Sequence, residues 1–270
     1  MPIDSVGVGV RVRARSASRL VALAVAFLAA RLAWADLIVP SGSLASVGPG
    51  RVDLACTDVV VSGTLQVNSG QLRNVRSVTI NPGGAIDGGS GLIEVGGNWT
   101  NSGTFIAGSG TVNFRDLCSF GNAVVMGSTT FYRASFVTGS GKNYVFAVGS
   151  TQTITALLEI TGTAPQPIQF RSSIPGQVAF INLLTGGTQQ IQHVGVTDVW
   201  ATGQWLAPFL TNEGGGGNAR RWFGTPDDVV IPIPTLDRSA LLALGALLAA
   251  LGAWFLNRRG ITRRASTKDK

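Results

Sequence analysis

Histidine is almost missing from these 270 residues: there is one, His193, alongside two cysteines, two methionines and two tyrosines. Charged residues are sparse as well, at 13% of the chain. One histidine and two distant cysteines cannot supply the three or four clustered ligands of a zinc site, so no metal is expected. A Ser-His-Asp triad could draw on His193 and Asp198, but no Gly-x-Ser-x-Gly elbow occurs anywhere. His193 therefore reads as a surface or half-buried strand residue. Gly214 to Gly217 lack the Lys-Ser/Thr and following helix of a phosphate cradle. Also absent, between Asp36 and Pro232, is any sustained apolar period of 3.6 residues, which excludes a helical domain there.

The net charge of +7 raises nucleic acid as a partner. Between Asp36 and Thr235, however, 9 Lys/Arg face 11 Asp/Glu, a net of −2. The basicity belongs to the two ends, and no nucleic-acid footprint remains on the middle. At the front, Arg11, Arg13, Arg15 and Arg19 precede the apolar stretch Leu20 to Ala30, and Ala33-Trp34-Ala35 supplies a small-x-small cleavage pattern. Residues 1–35 thus read as a secretory signal cut before Asp36. Arg31 keeps a retained N-terminal anchor as the competing reading.

At the other end, Ser239 to Leu256 holds 18 uncharged residues, seven of them Leu. As a helix it would be about 27 Å long, close to the roughly 30 Å of a bilayer's hydrocarbon core. Arg258, Arg259, Arg263 and Arg264, then Lys268 and Lys270, follow it. Such a cluster stays cytoplasmic, so the tail reads as a stop-transfer anchor with the bulk of the chain outside the cytoplasm. A buried core helix is the alternative, although it would lack the expected polar face.

Just ahead of the apolar run stand Ile233, Pro234, Thr235 and Leu236. This motif, the helix and the Arg-rich end together resemble the IPTL-CTERM sorting signal of Gram-negative bacteria, a relative of the PEP-CTERM signals. The family's usual continuation of Ser, an acidic residue and Trp is replaced here by Asp237, Arg238 and Ser239. The resemblance implies a membrane-held precursor whose tail is removed by an exosortase-type transpeptidase on the way to the surface. It assigns residues 233–264 to the sorting signal, and Gly224 to Pro232, with Pro226, Asp227, Asp228 and Pro232, reads as the linker that holds it clear of the domain.

The remaining stretch, 36–223, is rich in Gly, Ser, Thr, Val and Asn. Short alternating runs such as Val59–Val61, Ser77–Ile80 and Thr111–Phe114 sit between Gly/Ser/Asn turns, an all-β signature. Similar runs continue at Thr129–Tyr132, Tyr144–Phe146, Gln152–Thr155, Ile168–Arg171, Ala179–Asn182 and Ile191–Val194. Gly63-Thr64-Leu65, Gly84-Ala85-Ile86 and Gly103-Thr104-Phe105 recur at offsets of 21 and 19. Two apolar columns follow, Leu65, Ile86, Phe105 and Leu72, Ile93, Val112. This period predicts a parallel β-solenoid whose coils bury their apolar faces on one another. An antiparallel sandwich of short strands is the competitor, above all after Cys118, where the period weakens. The domain also resembles the Gly/Thr-rich β-helix ectodomains of sorted bacterial surface proteins, through stretches such as Gly97-Asn98-Trp99-Thr100-Asn101 and Gly149-Ser150-Thr151-Gln152.

An even cysteine count in an exported domain favours a Cys56–Cys118 disulfide, with two buried thiols as the alternative. The repeat alignment sets Asp87 beside Gln66 and Ile106, and Glu94 beside Arg73 and Asn113. No carboxylate pair for acid/base catalysis emerges. Asp87-Gly88-Gly89-Ser90 reads as a plain turn. Trp99, Trp200 and Trp205 would stack on sugars if exposed, with burial of at least Trp99 as the alternative, which keeps a carbohydrate-binding or carbohydrate-active protein as one rival. A permanently anchored periplasmic protein is the other. Trp222 and Phe223 are expected to close the last coil, with Gly214–Gly217 a flexible exit. The expected protein is non-enzymatic, needs no cofactor, and serves a structural or adhesive role on the surface, with an exopolysaccharide or envelope matrix as its surroundings.

Overall fold

A strand of three residues buries too little to stand alone, so this sequence must stack its strands to gain a core. In the computed structural model, residues 35–118, 121–224 and 238–264 are described, with side chains in the last segment at 239 and 241–255. Three parallel sheets wrap the first two of these stretches into a β-solenoid of about seven turns. The first sheet stacks eight strands: β1 (Leu37–Val39), β4 (Val59–Val61), β7 (Val78–Ile80), β10 (Trp99–Asn101), β13 (Asn122–Met126), β15 (Asn143–Phe146), β17 (Ile168–Ser172) and β20 (Val194–Thr197). The second is shorter, with β2 (Leu44–Ser46), β5 (Thr64–Gln66), β8 (Ala85–Asp87) and β11 (Thr104–Ile106). The third runs through β3 (Arg51–Asp53), β6 (Gln71–Val75), β9 (Leu92–Val95), β12 (Thr111–Arg115), β14 (Thr129–Val137), β16 (Thr151–Thr161), β18 (Ala179–Leu183) and β21 (Val199–Ala201), with β19 (Thr188–Gln192) also paired to β16.

Every strand pair in these sheets is parallel, before and after Cys118, which removes the sandwich alternative. The repeat columns fall in register: Leu65 lies beside Ile86 and Ile86 beside Phe105, while Leu72, Ile93 and Val112 align across β6, β9 and β12. Inside, the first sheet stacks Val59, Val78, Trp99, Val125 and Phe146 in one column, all buried. Burying each such side chain contributes about 1.5–3 kcal/mol, so each coil is stabilised by its neighbours rather than by itself.

The core changes character along the axis. The early coils are filled with Val, Leu and Ile. From Trp99 onward, rings take over: Trp99 meets Phe105, Phe114 and Phe131, and Phe114 stacks on Phe136 with centroids 4.6 Å apart. The short second sheet ends at β11. After it, β14 and β16, of 9 and 11 residues, each replace two short strands, with a register shift between Phe131 and Arg133.

The chain divides into two compact units at Pro226/Asp227. The second contains one helix, α1 (Arg238–Arg264), of 27 residues, so the helix continues past Leu256 through the basic end. Its described side chains from Leu241 to Phe255 are all exposed. Among the described residues, no helix is long and apolar enough to cross a membrane.

Candidate functional site

On the outer face of the third sheet, Glu94 sits between two arginines. Arg73 Nη1 donates to its Oε2 at 3.0 Å and Arg115 Nη1 to its Oε1 at 3.3 Å, and the Glu94 side chain is only 5% exposed. The three residues are 21 apart, the spacing of the repeat itself. Arg73 was expected beside Glu94; Arg115, two positions beyond Asn113, was not. Asp87 pairs in register with Gln66 and Ile106, and its Oδ1 accepts from the Gly89 N–H at 3.0 Å, which makes the segment a plain turn. A carboxylate clamped this way serves as the shared ion-pair partner of two arginines on neighbouring coils.

A second charged group had no signal in the sequence. Lys142 is 2% exposed, and its Nζ donates to the carbonyls of Gly96 and Arg115. Burial pushes its pKa down, opposed by the nearby Asp116 carboxylate. Burial also works against the Asp116 carboxylate, but Thr138 Oγ1 (2.6 Å) and the N–H groups of Gly139 (2.7 Å) and Ser140 (3.0 Å) outweigh it. The Asp116 acid is held below its ordinary range. Between them, the pair pins the corner where β12 gives way to β13. That role is architectural: the described bonds of both groups run to backbone carbonyls, N–H groups and hydroxyls of neighbouring coils.

His193 breaks the run read as a single strand. It adopts φ 49° between β19 and β20, and its Nδ1 pairs with Glu213 at 3.1 Å, not with Asp198. Asp198 instead accepts from the Gly176 N–H at 2.8 Å and Asn218 Nδ2 at 2.6 Å. Nor is Gly214–Gly217 a free exit. It lies against β20, with the Asp198 N–H donating to Gly217 O and the Gly216 N–H donating to Thr197 Oγ1. Backbone groups that would otherwise be left open at the last coil are paired here, so the tetraglycine belongs to the cap. Trp222 is buried at this end against Phe170 and Phe223.

Of the three tryptophans considered for sugar stacking, Trp99 takes the buried alternative: it is fully buried, and its Nε1 donates to Thr129 Oγ1 at 3.1 Å. Trp200 is half-buried, with Phe180 at its edge, Arg220 over its ring at 5.7 Å, and its Nε1 donating to Asn218 Oδ1. Trp205 is also half-buried. It lines a groove of about 440 Å³ with Thr185, Gln189, Gln204, Pro208 and Arg221. Gln189 donates to Trp205 O (2.7 Å) and accepts from the Ala207 N–H (2.9 Å), while Gln204 Nε2 donates to Leu184 O and Gly187 O. Both amides hold the loop in shape.

Cys56 and Cys118 are brought together with Cα atoms 5.2 Å apart and their sulfurs joined. They do so although β3 and β12 are separated in the third sheet by β6 and β9. The segment after Arg115 reaches back along the corner, with Cys118 Sγ beside Asn74 O. Among the described residues, no group of three or more His, Cys, Asp or Glu could hold a metal.

The topogenic residues are placed only in part. Ala35 is exposed at the start of the described chain, while Ala33 lies outside the described residues, as do Ile233, Pro234, Thr235 and Leu236. Arg258, Arg259, Arg263 and Arg264 fall on the backbone of α1. No curated protein and no solved structure matches the chain. Residues 231–259, from the end of the linker to the first basic pair, match the IPTL-CTERM motif, so the chain carries an IPTL-CTERM tail behind a parallel β-solenoid.

Proposed function

We propose that this is an exported, non-enzymatic surface protein with a structural or adhesive role, sorted through its C-terminal tail. The observation that carries the reading is the IPTL-CTERM match at 231–259 placed behind a polar solenoid. In this account, Ser239 to Leu256 spans the inner membrane. It has 18 residues without a charge, and its described side chains from Leu241 to Phe255 are all apolar and exposed. A helix apolar on every side has no face suited to water, and lipid satisfies it. The arginines after it stay in the cytoplasm.

An exosortase-type transpeptidase then recognises Ile233-Pro234-Thr235-Leu236, which follows a stretch with prolines at 226 and 232. The oxidising compartment favours a closed Cys56–Cys118 bridge. The absence of an enzymatic role is supported by the way Glu94, Asp116 and Glu213 are each engaged by neighbours that neutralise or bond them. Mass spectrometry of the protein recovered from the cell surface tests this account. A C-terminus within or near 233–236 is expected, and surface protein that retains Lys270 overturns it.

A further inference from the structure

The capping loop ends on an exposed phenylalanine. Phe209 is 72% exposed and Leu210 39%, and both follow Pro208, which lines the groove together with the half-buried Trp205. Phe209 has φ 67°, a conformation that a residue with a Cβ adopts at a cost. Burial does not offset that cost. The ring is held outward because its backbone N–H donates to Gly224 O at 3.4 Å, while the Leu210 N–H returns to Ala207 O at 3.1 Å. Gly224 is also where the chain leaves the solenoid, so the ring stands at the exit.

The position of that exit narrows what can cover the ring. Residues 225–238 separate Gly224 from the apolar run that starts at Ser239. A chain of fourteen residues spans at most about 48 Å fully extended. Tethering at such a distance amounts to an effective concentration of order millimolar for whatever lies at the other end. Arg220 and Arg221 sit on the same cap, a charge suited to phosphate headgroups.

We propose that the Phe209-Leu210 loop is a lipid-facing surface that rests in the headgroup–acyl boundary of the membrane holding the precursor. The inference depends on the reading of Ser239–Leu256 as a span. An aromatic and an aliphatic side chain beside basic residues is the composition that seats an element at this depth. Docking there would orient the solenoid end-on and keep the linker close to the bilayer, where a membrane enzyme works.

The test uses the full chain in phosphatidylcholine vesicles, with its native cysteine pair oxidised and a bimane placed on one introduced thiol at a time. Phe209→Cys reports the cap and Leu248→Cys the span. Leu44→Cys is 66% exposed on the first coil, about 34 Å away at roughly 4.8 Å per strand, and controls for the probe's own affinity for lipid. Lipids brominated near the headgroup are expected to quench Phe209→Cys at least twofold and leave Leu44→Cys unchanged. Quenching at Leu248→Cys alone, by deep-brominated lipids, overturns the docking and leaves the span standing. Quenching at Phe209→Cys alone supports docking and overturns the span. Quenching at neither overturns both, and equal quenching at Phe209→Cys and Leu44→Cys overturns the docking.

Discussion

Gly83 and Gly84 are adjacent and look alike in the sequence, yet the fold needs them for different reasons. Gly83 has φ 81° and open space around it, so only its backbone conformation calls for glycine. Gly84 has no such φ; a Cβ there would press on the carbonyl oxygens of Val61 and Asn81, in the coil beneath and the turn before. Gly83→Ala is expected to cost about 1 kcal/mol, the penalty of a left-handed residue with a Cβ. Gly84→Ala is expected to cost more, up to about 3 kcal/mol, as overpacking against backbone that cannot yield. Urea unfolding of the two variants checks the ranking. Asp116 gives a pH-dependent counterpart. Its folded-state acid lies below the ordinary 3.8, so it contributes stability above that value and loses it as pH falls through the folded pKa. Asp116→Asn should therefore destabilise by about 1–2 kcal/mol at neutral pH, on the worth of hydrogen bonds to a charged acceptor. The gap from the natural protein should close below pH 3.8 in parallel melts.

Among the elements, the long strands explain why the repeat fades. Up to β12, each coil has three short strands with a glycine turn between them, and the aligned positions Leu72, Ile93 and Val112 recur every 21 and 19 residues. The same inward column continues through Ala134 and Leu158, but β14 and β16 bend through two faces without a glycine corner. The register survives while the punctuation that made it visible is gone. The aromatic stack compensates in part for the lost second sheet. Phe136 touches Phe114, Tyr144, Phe146 and Phe170, so Phe136→Ala should cost about 3–5 kcal/mol by thermal unfolding. The cysteine pair crosses 62 positions, and on the chain-entropy account its closure stabilises by about 4 kcal/mol. Cys118→Ser should lower the melting temperature to that of the reduced natural protein, and reductant should have no further effect on the variant.

For the whole molecule, the two ends and the middle follow different physics. The middle is held by stacked coils with a net charge of −2, and the surplus positive charge lies in the terminal segments. A fluorescent protein fused after Lys270 is expected to light up in the cytoplasm, while a phosphatase that needs export for activity stays silent at the same site. The reverse result removes the topology on which sorting depends.

The sequence by itself determined the all-β class, the repeat columns between Gly63 and Phe114, the cap role of Trp222 and the tail motif, while parallel pairing beyond Cys118 was left to the fold. Each is written in local spacing or in composition, which a linear reading preserves. Only the tertiary structure decided the contacts that join residues at no repeating interval. Lys142 reaching the Gly96 carbonyl, His193 turning to Glu213, Trp99 sinking into a cage of phenylalanines and the tetraglycine closing the last coil are of this kind. Stacking coils brings remote segments within a few ångströms across the axis. Which ones meet depends on where each corner bends, and corners are set by packing that no single stretch of chain specifies.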